Sequence, residues 1–202
     1  MTITEITETP GSKCRYRIFI DEEFAFVLYK GELRSYGISI GNELSAEAYH
    51  EIIEKTLPKR AKKRALHLLK SRRYTEKQMR DKLAGGDYSI PVINQTIAYL
   101  QQYGYIDDSQ YARDYIDYHI NRKSCRRIGL DLLNKGIPNE ITSVIYSEAA
   151  GADSEELENT LIRKWLEKKK YAKDSADLKE KQRVFAFLAR KGFPADSIRR
   201  FI

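Results

Sequence analysis

The 202-residue sequence predicts a mostly α-helical fold: tandem three-helix repeats forming an elongated, curved body behind a small N-terminal β-hairpin and helix head. Three observations carry that expectation. Apolar residues fall at three- and four-residue intervals from Ala61 onward, glycine and proline punctuate them regularly, and a Lys-Gly-apolar-Pro phrase recurs. That phrase reads LLNKGIPNEI from Leu132 to Ile141 and LARKGFPADSI from Leu188 to Ile198. A glycine just past a helix end supplies a left-handed residue, and a proline in the next helix's first turn has no N–H to lose.

In chain order, residues 1–60 form the head. CRYRIFI and FAFVLYK are rich in aromatic and β-branched residues around Asp21-Glu22-Glu23, the pattern of a β-hairpin. A third short strand is expected near Tyr36 to Ile40. Ser45 then caps a helix carrying Tyr49, Ile52 and Ile53, which Pro58 is expected to end. The repeats follow at residues 61–106, 107–152 and 153–202. Thr75 with Gln78, and Asp107 with Gln110, match a capping box. Gly104, Gly136 and Gly192 stand at helix ends, and Pro91, Pro138 and Pro194 at helix starts. The first repeat carries the junction in altered form, GGDYSIPVI, with three residues inserted before Ile90-Pro91. A three-helix unit this short buries little by itself, so stacked neighbours must supply the missing core, and stacking produces the extended body.

With 42% hydrophobic and 32% charged residues, the chain has apolar mass for a true core and a surplus of cations, +7 at neutral pH. The surplus favours a polyanionic partner. No apolar run approaches a membrane span, and the first thirty residues carry acids where a signal peptide would be basic, so a cytoplasmic protein is expected. Cys14 and Cys125 lie far apart without metal-ligand spacing, and His50, His67 and His119 sit singly. Neither a metal nor a cofactor is expected. Self-capping repeat ends point to a monomer.

Three basic clusters are candidates for contact with phosphates or an acidic protein surface. The first, PKRAKKRALHLLKSRRYTEKQMRDKL, offers Lys59, Arg60, Lys62, Lys63, Arg64, Lys70, Arg72, Arg73 and Arg80 against only Glu76 and Asp81. The second contains Arg122, Lys123, Arg126 and Arg127, and the third Lys168, Lys169 and Lys170. A solenoid would bring them along one groove. Tyr74, Tyr103, Tyr105 and Tyr171 lie near them as candidate base-stacking rings, although tyrosines at helical spacing are more often core. Asp107, Asp108, Asp114 and Asp117 raise the question of a metal-dependent nuclease. Asp107 has a helix cap to explain it, and Asp108 lies in a first turn that favours negative charge. With no phosphate-binding loop and no nucleophile beside a base, no enzyme is expected.

The ordered set Ala65, Leu68, Leu69, Arg72, Thr75, Lys82, Leu83, Leu100, Gly104, Tyr105, Ile106, Asp107, Asp108, Tyr111, Ala112, Gly129, Leu133, Lys135, Gly136 and Ile137 resembles the pattern of the bacterial RecX family of recombination regulators. The resemblance is strongest from Ala61 to Ile145; beyond it only KGFPADSI is clear. It implies a modular three-helix-repeat protein that binds filaments of the RecA recombinase on single-stranded DNA and moderates them, within homologous recombination, DNA repair and the SOS response. A plain DNA-binding protein, coating or competing for single- or double-stranded DNA, is the alternative.

Overall fold

The computed structural model of the chain describes residues 1–9, 11, 14–151 and 154–202, so the expected third-repeat boundary at Asp153 lies outside the described residues. Two compact units emerge, Met1–Ile106 and Asp107–Ile202.

The first unit opens with an antiparallel sheet, β1 (Ile3–Glu8), β2 (Arg15–Ile20) and β3 (Glu23–Tyr29), in the order β1-β2-β3. Asp21 and Glu22 turn the β2–β3 hairpin with φ of 49° and 72°, the mirror-image turn whose twist matches that of the strands. Residues 36–40 are not a strand: Ile38 is buried in the loop after α1 (Lys30–Ser35), its N–H donating to the Leu33 carbonyl at 2.9 Å. The third strand is β1 instead. A register shift between Ile3 and Glu5 changes its phase, so Ile3 and Ile6, three residues apart, both pack on the core.

Pro58 does not end a helix either. Helix α2 (Ala46–Glu51), whose cap Ser45 Oγ accepts the Ala48 N–H at 3.2 Å, runs through a π-helical turn at Ile52–Thr56 directly into α3 (Leu57–Leu69). Proline lacks the N–H and crowds the carbonyl one turn back. The π turn absorbs both defects, because the Leu57 N–H reaches the Ile52 carbonyl, five residues back.

Helices α4 (Glu76–Ala84) and α5 (Ile90–Gln102) complete the unit. Thr75 makes the reciprocal capping box with Gln78. Phe26, Ile18 and Leu28 of the sheet share one buried cluster with Ala61, Ala65, Met79, Leu83, Ile97 and Leu100, so the head and first helical repeat have a common core. Phe24, by contrast, is exposed beside Phe19. The altered first junction has its left-handed residue at Asp87, φ 61°, while Gly85 is ordinary at −65°. Asp87 is held from the head: Arg17 pairs with its carboxylate at 2.6 Å, and Arg15 lies 3.7 Å from it while donating to the Gly86 carbonyl at 2.7 Å.

The second unit contains α6 (Asp108–His119), α7 (Cys125–Asn134), α8 (Asn139–Ala150), α9 (Ser154–Lys168), α10 (Leu178–Arg190) and α11 (Ala195–Phe201). Ile116, Ile128, Leu132, Ile137 and Ile145 centre one cluster, and Ile162, Leu188, Phe193 and Ile198 another; Leu157 of α9 packs on the former. Asp107 caps α6 by accepting the Gln110 N–H at 2.9 Å, but the box is not reciprocal, since the Gln110 amide donates to Asp114 instead. Pro138 and Pro194 sit at the N-cap, one position before the expected first turn, whereas Pro91 is inside α5.

The glycines of the repeated phrase are left-handed, Gly136 at φ 93° and Gly192 at φ 92°. Gly192 has a second reason to be glycine. A Cβ there would meet Ser124 Oγ at 2.5 Å and the Arg127 backbone nitrogen at 3.2 Å. Ser124, buried, caps α7 by accepting the Arg127 N–H at 3.2 Å and donates its hydroxyl to the Lys191 carbonyl at 2.8 Å. Glu158 of α9 accepts the Cys125 N–H at 2.8 Å. The start of α7 thus sits on the α10–α11 junction. Gly104 is equally left-handed at φ 67°, but a Cβ there meets open space. Gly104→Ala should therefore cost only about 1–2 kcal/mol of backbone strain. Gly192→Ala adds the clash with Ser124 and should cost roughly 1–3 kcal/mol more. Urea unfolding of the two variants checks this; equal losses would mean the Ser124 approach is not tight.

Candidate polyanion-binding surfaces

The first basic cluster is divided by its local partners. Arg60 is turned inward, its guanidinium pairing with Glu32 at 2.8 Å, donating to the Val27 carbonyl, and lying 5.0 and 5.5 Å from the ring centres of Tyr29 and Tyr88. It fastens α3 to the sheet. Arg80 is held by Glu76 and Asn94, both at 2.7 Å. Lys62 lies over Tyr99 and Arg72 over Tyr74. Lys70 and Arg73 are exposed around the end of α3. Lys59, Lys63 and Arg64 line a cleft between α3 and α1.

The second and third clusters meet around Phe187 in the second unit. A cleft of about 480 Å³ is lined by Arg122, Lys123 and Arg127 from the second repeat, and by Phe187, Arg190, Lys191 and Phe193 from the third. Lys169 lies 4.1 Å from the Phe187 ring centre, and Lys191 lies 4.7 and 5.6 Å from those of Trp165 and Phe187. Lys168 lies over Trp165, and Lys170, with φ 53°, follows the end of α9. The fused surface therefore combines cations with aromatic rings, the combination that suits phosphates flanked by bases. Arg126 is elsewhere, in a cleft with Cys125, Tyr146 and Glu158. There burial, opposed by the Cys125 N–H, raises the Glu158 pKa, and burial with nearby Glu158 raises the Cys125 thiol's.

Arg190 and Lys191 lie outside the three clusters that the sequence marks. Their signal is position: they end α10 immediately before the Gly192 junction, where cations meet the helix's negative end. Tyr74, only 7% exposed, and Tyr171 belong to cores, whereas Tyr103 and Tyr105, 61% and 49% exposed, flank Tyr99 as an open ladder of rings. Among the described residues no three His, Cys, Asp or Glu side chains gather as a metal site, and no helix is long and apolar enough to cross a membrane.

Asp131 holds two of the cleft's cations, Lys123 and Arg127. Its carboxylate accepts from Lys123 at 2.8 Å and from the Tyr115 hydroxyl at 3.0 Å, and pairs with Arg127 at 3.1 Å. Burial opposes its charge, but these donors outweigh burial and hold its pKa below the usual carboxylate value. Burial likewise opposes the charge of Lys123, and the bonds to Asp131 and Tyr115 leave its pKa raised.

Fold and surfaces define a class: a three-helix-repeat protein with a β head and cationic, aromatic-lined clefts. Comparison with known proteins narrows it. Residues 61–100 match the family description "RecX, first three-helix domain", and residues 156–202 match "RecX, third three-helix domain". Regulatory protein RecX of Caldanaerobacter subterraneus subsp. tengcongensis is 31% identical over 201 residues, covering 99% of this chain and 98% of the relative. That of Clostridioides difficile (strain 630) is 28% identical over 204 residues, covering 99% and 93%. A crystal structure of regulatory protein RecX superposes with a TM-score of 0.62 at 24% identity, over 98% of this chain and 97% of that one. Another, from Lactobacillus salivarius, does so at 0.58 and 24% identity, over 72% and 94%. The chain belongs to the RecX family of regulatory proteins.

Removing the Asp131 charge should loosen Lys123, Arg127 and Tyr115. Asp131→Asn should destabilise by about 1.5–3 kcal/mol at pH 7, the worth of a hydrogen bond to a charged group. Because the folded pKa is depressed, this contribution is present above the unfolded value, about 3.9, and disappears as pH falls through the folded one. Unfolding free energies of wild type and variant should converge on acidification; a gap independent of pH would contradict the assignment.

Proposed function

We propose that this chain regulates a RecA recombinase by binding its filament on single-stranded DNA and inhibiting its ATPase, strand-exchange and coprotease activities, without catalysis of its own. The observation that carries this reading is the cleft at the joint of the second and third repeats, where Arg122, Lys123, Arg127, Arg190 and Lys191 surround Phe187 and Phe193. A polyanion lying there meets charge from two repeats together, which suits an extended target better than a compact one. Lys62, Lys70, Arg72 and Arg73 supply further positive charge in the first repeat, where Arg80 is paired with Glu76. The repeats would lie along the filament groove and bridge protomers, so that ATP-driven cycling or entry of duplex DNA is blocked. Membership of a family whose relatives are named regulatory proteins supports the regulatory role. The protein acts as a cytoplasmic monomer in this reading.

Exposed Tyr103 and Tyr105, with ring centres 4.7 and 6.5 Å from that of half-buried Tyr99, favour a second reading, direct coating of single-stranded DNA. The two separate in one assay: DNA-dependent ATP hydrolysis by RecA, titrated with this protein at several excesses of DNA. Filament recognition gives suppression that persists when free DNA is abundant; suppression relieved by added DNA gives coating, and none at any ratio removes the regulator reading. The triple variant Arg122→Ala/Arg190→Ala/Lys191→Ala should weaken DNA-filament binding at least tenfold. It should also flatten the dependence of log affinity on log salt by about 2–3, near one for each phosphate the variant no longer neutralises. An unchanged slope would place the binding surface elsewhere.

A further inference from the structure

The cleft between α1 and α3 is built differently from the surface at the repeat joint. It is an open cleft of about 840 Å³, within the usual ~300–1,000 Å³ of small-molecule sites. One wall is α3, with Lys59, Lys63, Arg64 and His67; the other is the head, with Tyr29, Ser35 and Tyr36, and Tyr88 also lines the space. Its charge is not internally balanced. Glu32, the acid in the lining, is already engaged by Arg60 at 2.8 Å and by the Tyr29 N–H at 2.7 Å. Lys59, Lys63 and His67 have no ion pair among the described residues. Arg64, half-buried beside them, adds a further cation to the lining.

Spacing and surface chemistry then select the ligand. Lys59, Lys63 and His67 follow one another every four residues, so they rise roughly 6 Å apart over about 12 Å of one helix face. That is a row suited to a chain of anionic groups and longer than a single phosphate requires. Beside the row stand three tyrosines: Tyr29 and Tyr88, with the Arg60 guanidinium over both rings, and Tyr36, whose hydroxyl is fixed to Thr56 at 2.7 Å. Flat aromatic and guanidinium faces are the surfaces on which a planar base stacks. We propose that this cleft binds a nucleoside polyphosphate, its phosphates along Lys59, Lys63, Arg64 and His67 and its base against the Tyr29–Arg60–Tyr88 wall. The site goes beyond the filament-binding reading and needs neither recombinase nor DNA.

The test is a fluorescence titration of the full chain with N-methylanthraniloyl-labelled ATP, followed by displacement with unlabelled ATP, tripolyphosphate and a short oligothymidylate. Saturable binding is expected, with ATP displacing the probe at least tenfold better than either competitor. Lys59→Ala/Lys63→Ala should weaken binding at least tenfold, and since both side chains are exposed and unpaired, its thermal unfolding should match wild type. Tyr29→Ala should weaken ATP binding while leaving tripolyphosphate binding unchanged. Arg190→Ala/Lys191→Ala, at the other surface, should change binding less than twofold. No saturable binding, equal weakening by both charge pairs, or tripolyphosphate as good as ATP would overturn the proposal. Oligothymidylate displacing better than ATP would assign the cleft to a strand and overturn it too.

Discussion

The second unit depends on a single close approach: the start of α7 resting on the backbone of the α10–α11 junction. Ser124 works there in two directions, accepting the Arg127 N–H to cap its own helix and donating its hydroxyl to the Lys191 carbonyl of the next repeat. A buried hydroxyl with both functions satisfied avoids the desolvation cost that would otherwise oppose its burial. The approach is only as close as Gly192 permits, because the space a side chain would need is filled by Ser124 and Arg127. The glycine of the repeated phrase therefore turns its own repeat and seats the preceding one. Arg190 and Lys191 are carried to Arg122, Lys123 and Arg127 by that same approach, so this cationic surface follows from a packing constraint.

In the first unit the corresponding work is done by charge. The insertion GGDYSIP would lengthen the junction into an unsupported loop, and Asp87 would be a strained left-handed residue with nothing to hold it. Arg15 and Arg17 of β2 supply the support. From the opposite direction Arg60 reaches Glu32, the Val27 carbonyl and two tyrosine rings. With Phe26, Ile18 and Leu28 in the same core as the helices, the head is an integral part of the first repeat, and α1 becomes one wall of a basic cleft.

What is legible in the sequence is what is decided locally. Glycines at helix ends, the Thr75 box, the Asp21-Glu22 turn and the helical spacing of Ala65, Leu68 and Leu69 depend on neighbours within a few residues, and the structure has them. The strand β1 is hidden because its bulge breaks the two-residue alternation by which strands are read. Pro58 looks like a helix end because a π turn, which leaves no compositional mark, carries the helix past it. The basic residues are plain in the sequence, but their roles are not. Whether an arginine meets a phosphate or acts as a staple depends on the acid opposite, and Glu32 stands 28 residues from Arg60 in the chain. Arg190 and Lys191 join the site only through the Gly192 junction, where the Ser124 hydroxyl reaches the Lys191 carbonyl across 67 residues of chain.

In the proposed function two repeats form one binding surface. Hydrogen exchange of the full chain, with and without a recombinase filament on single-stranded DNA, tests it most directly. Residues 122–127 and 187–193 should gain protection together, with the same dependence on filament concentration. Protection of one segment without the other, or of neither while the protein is bound, would contradict a surface shared across the Ser124–Gly192 joint.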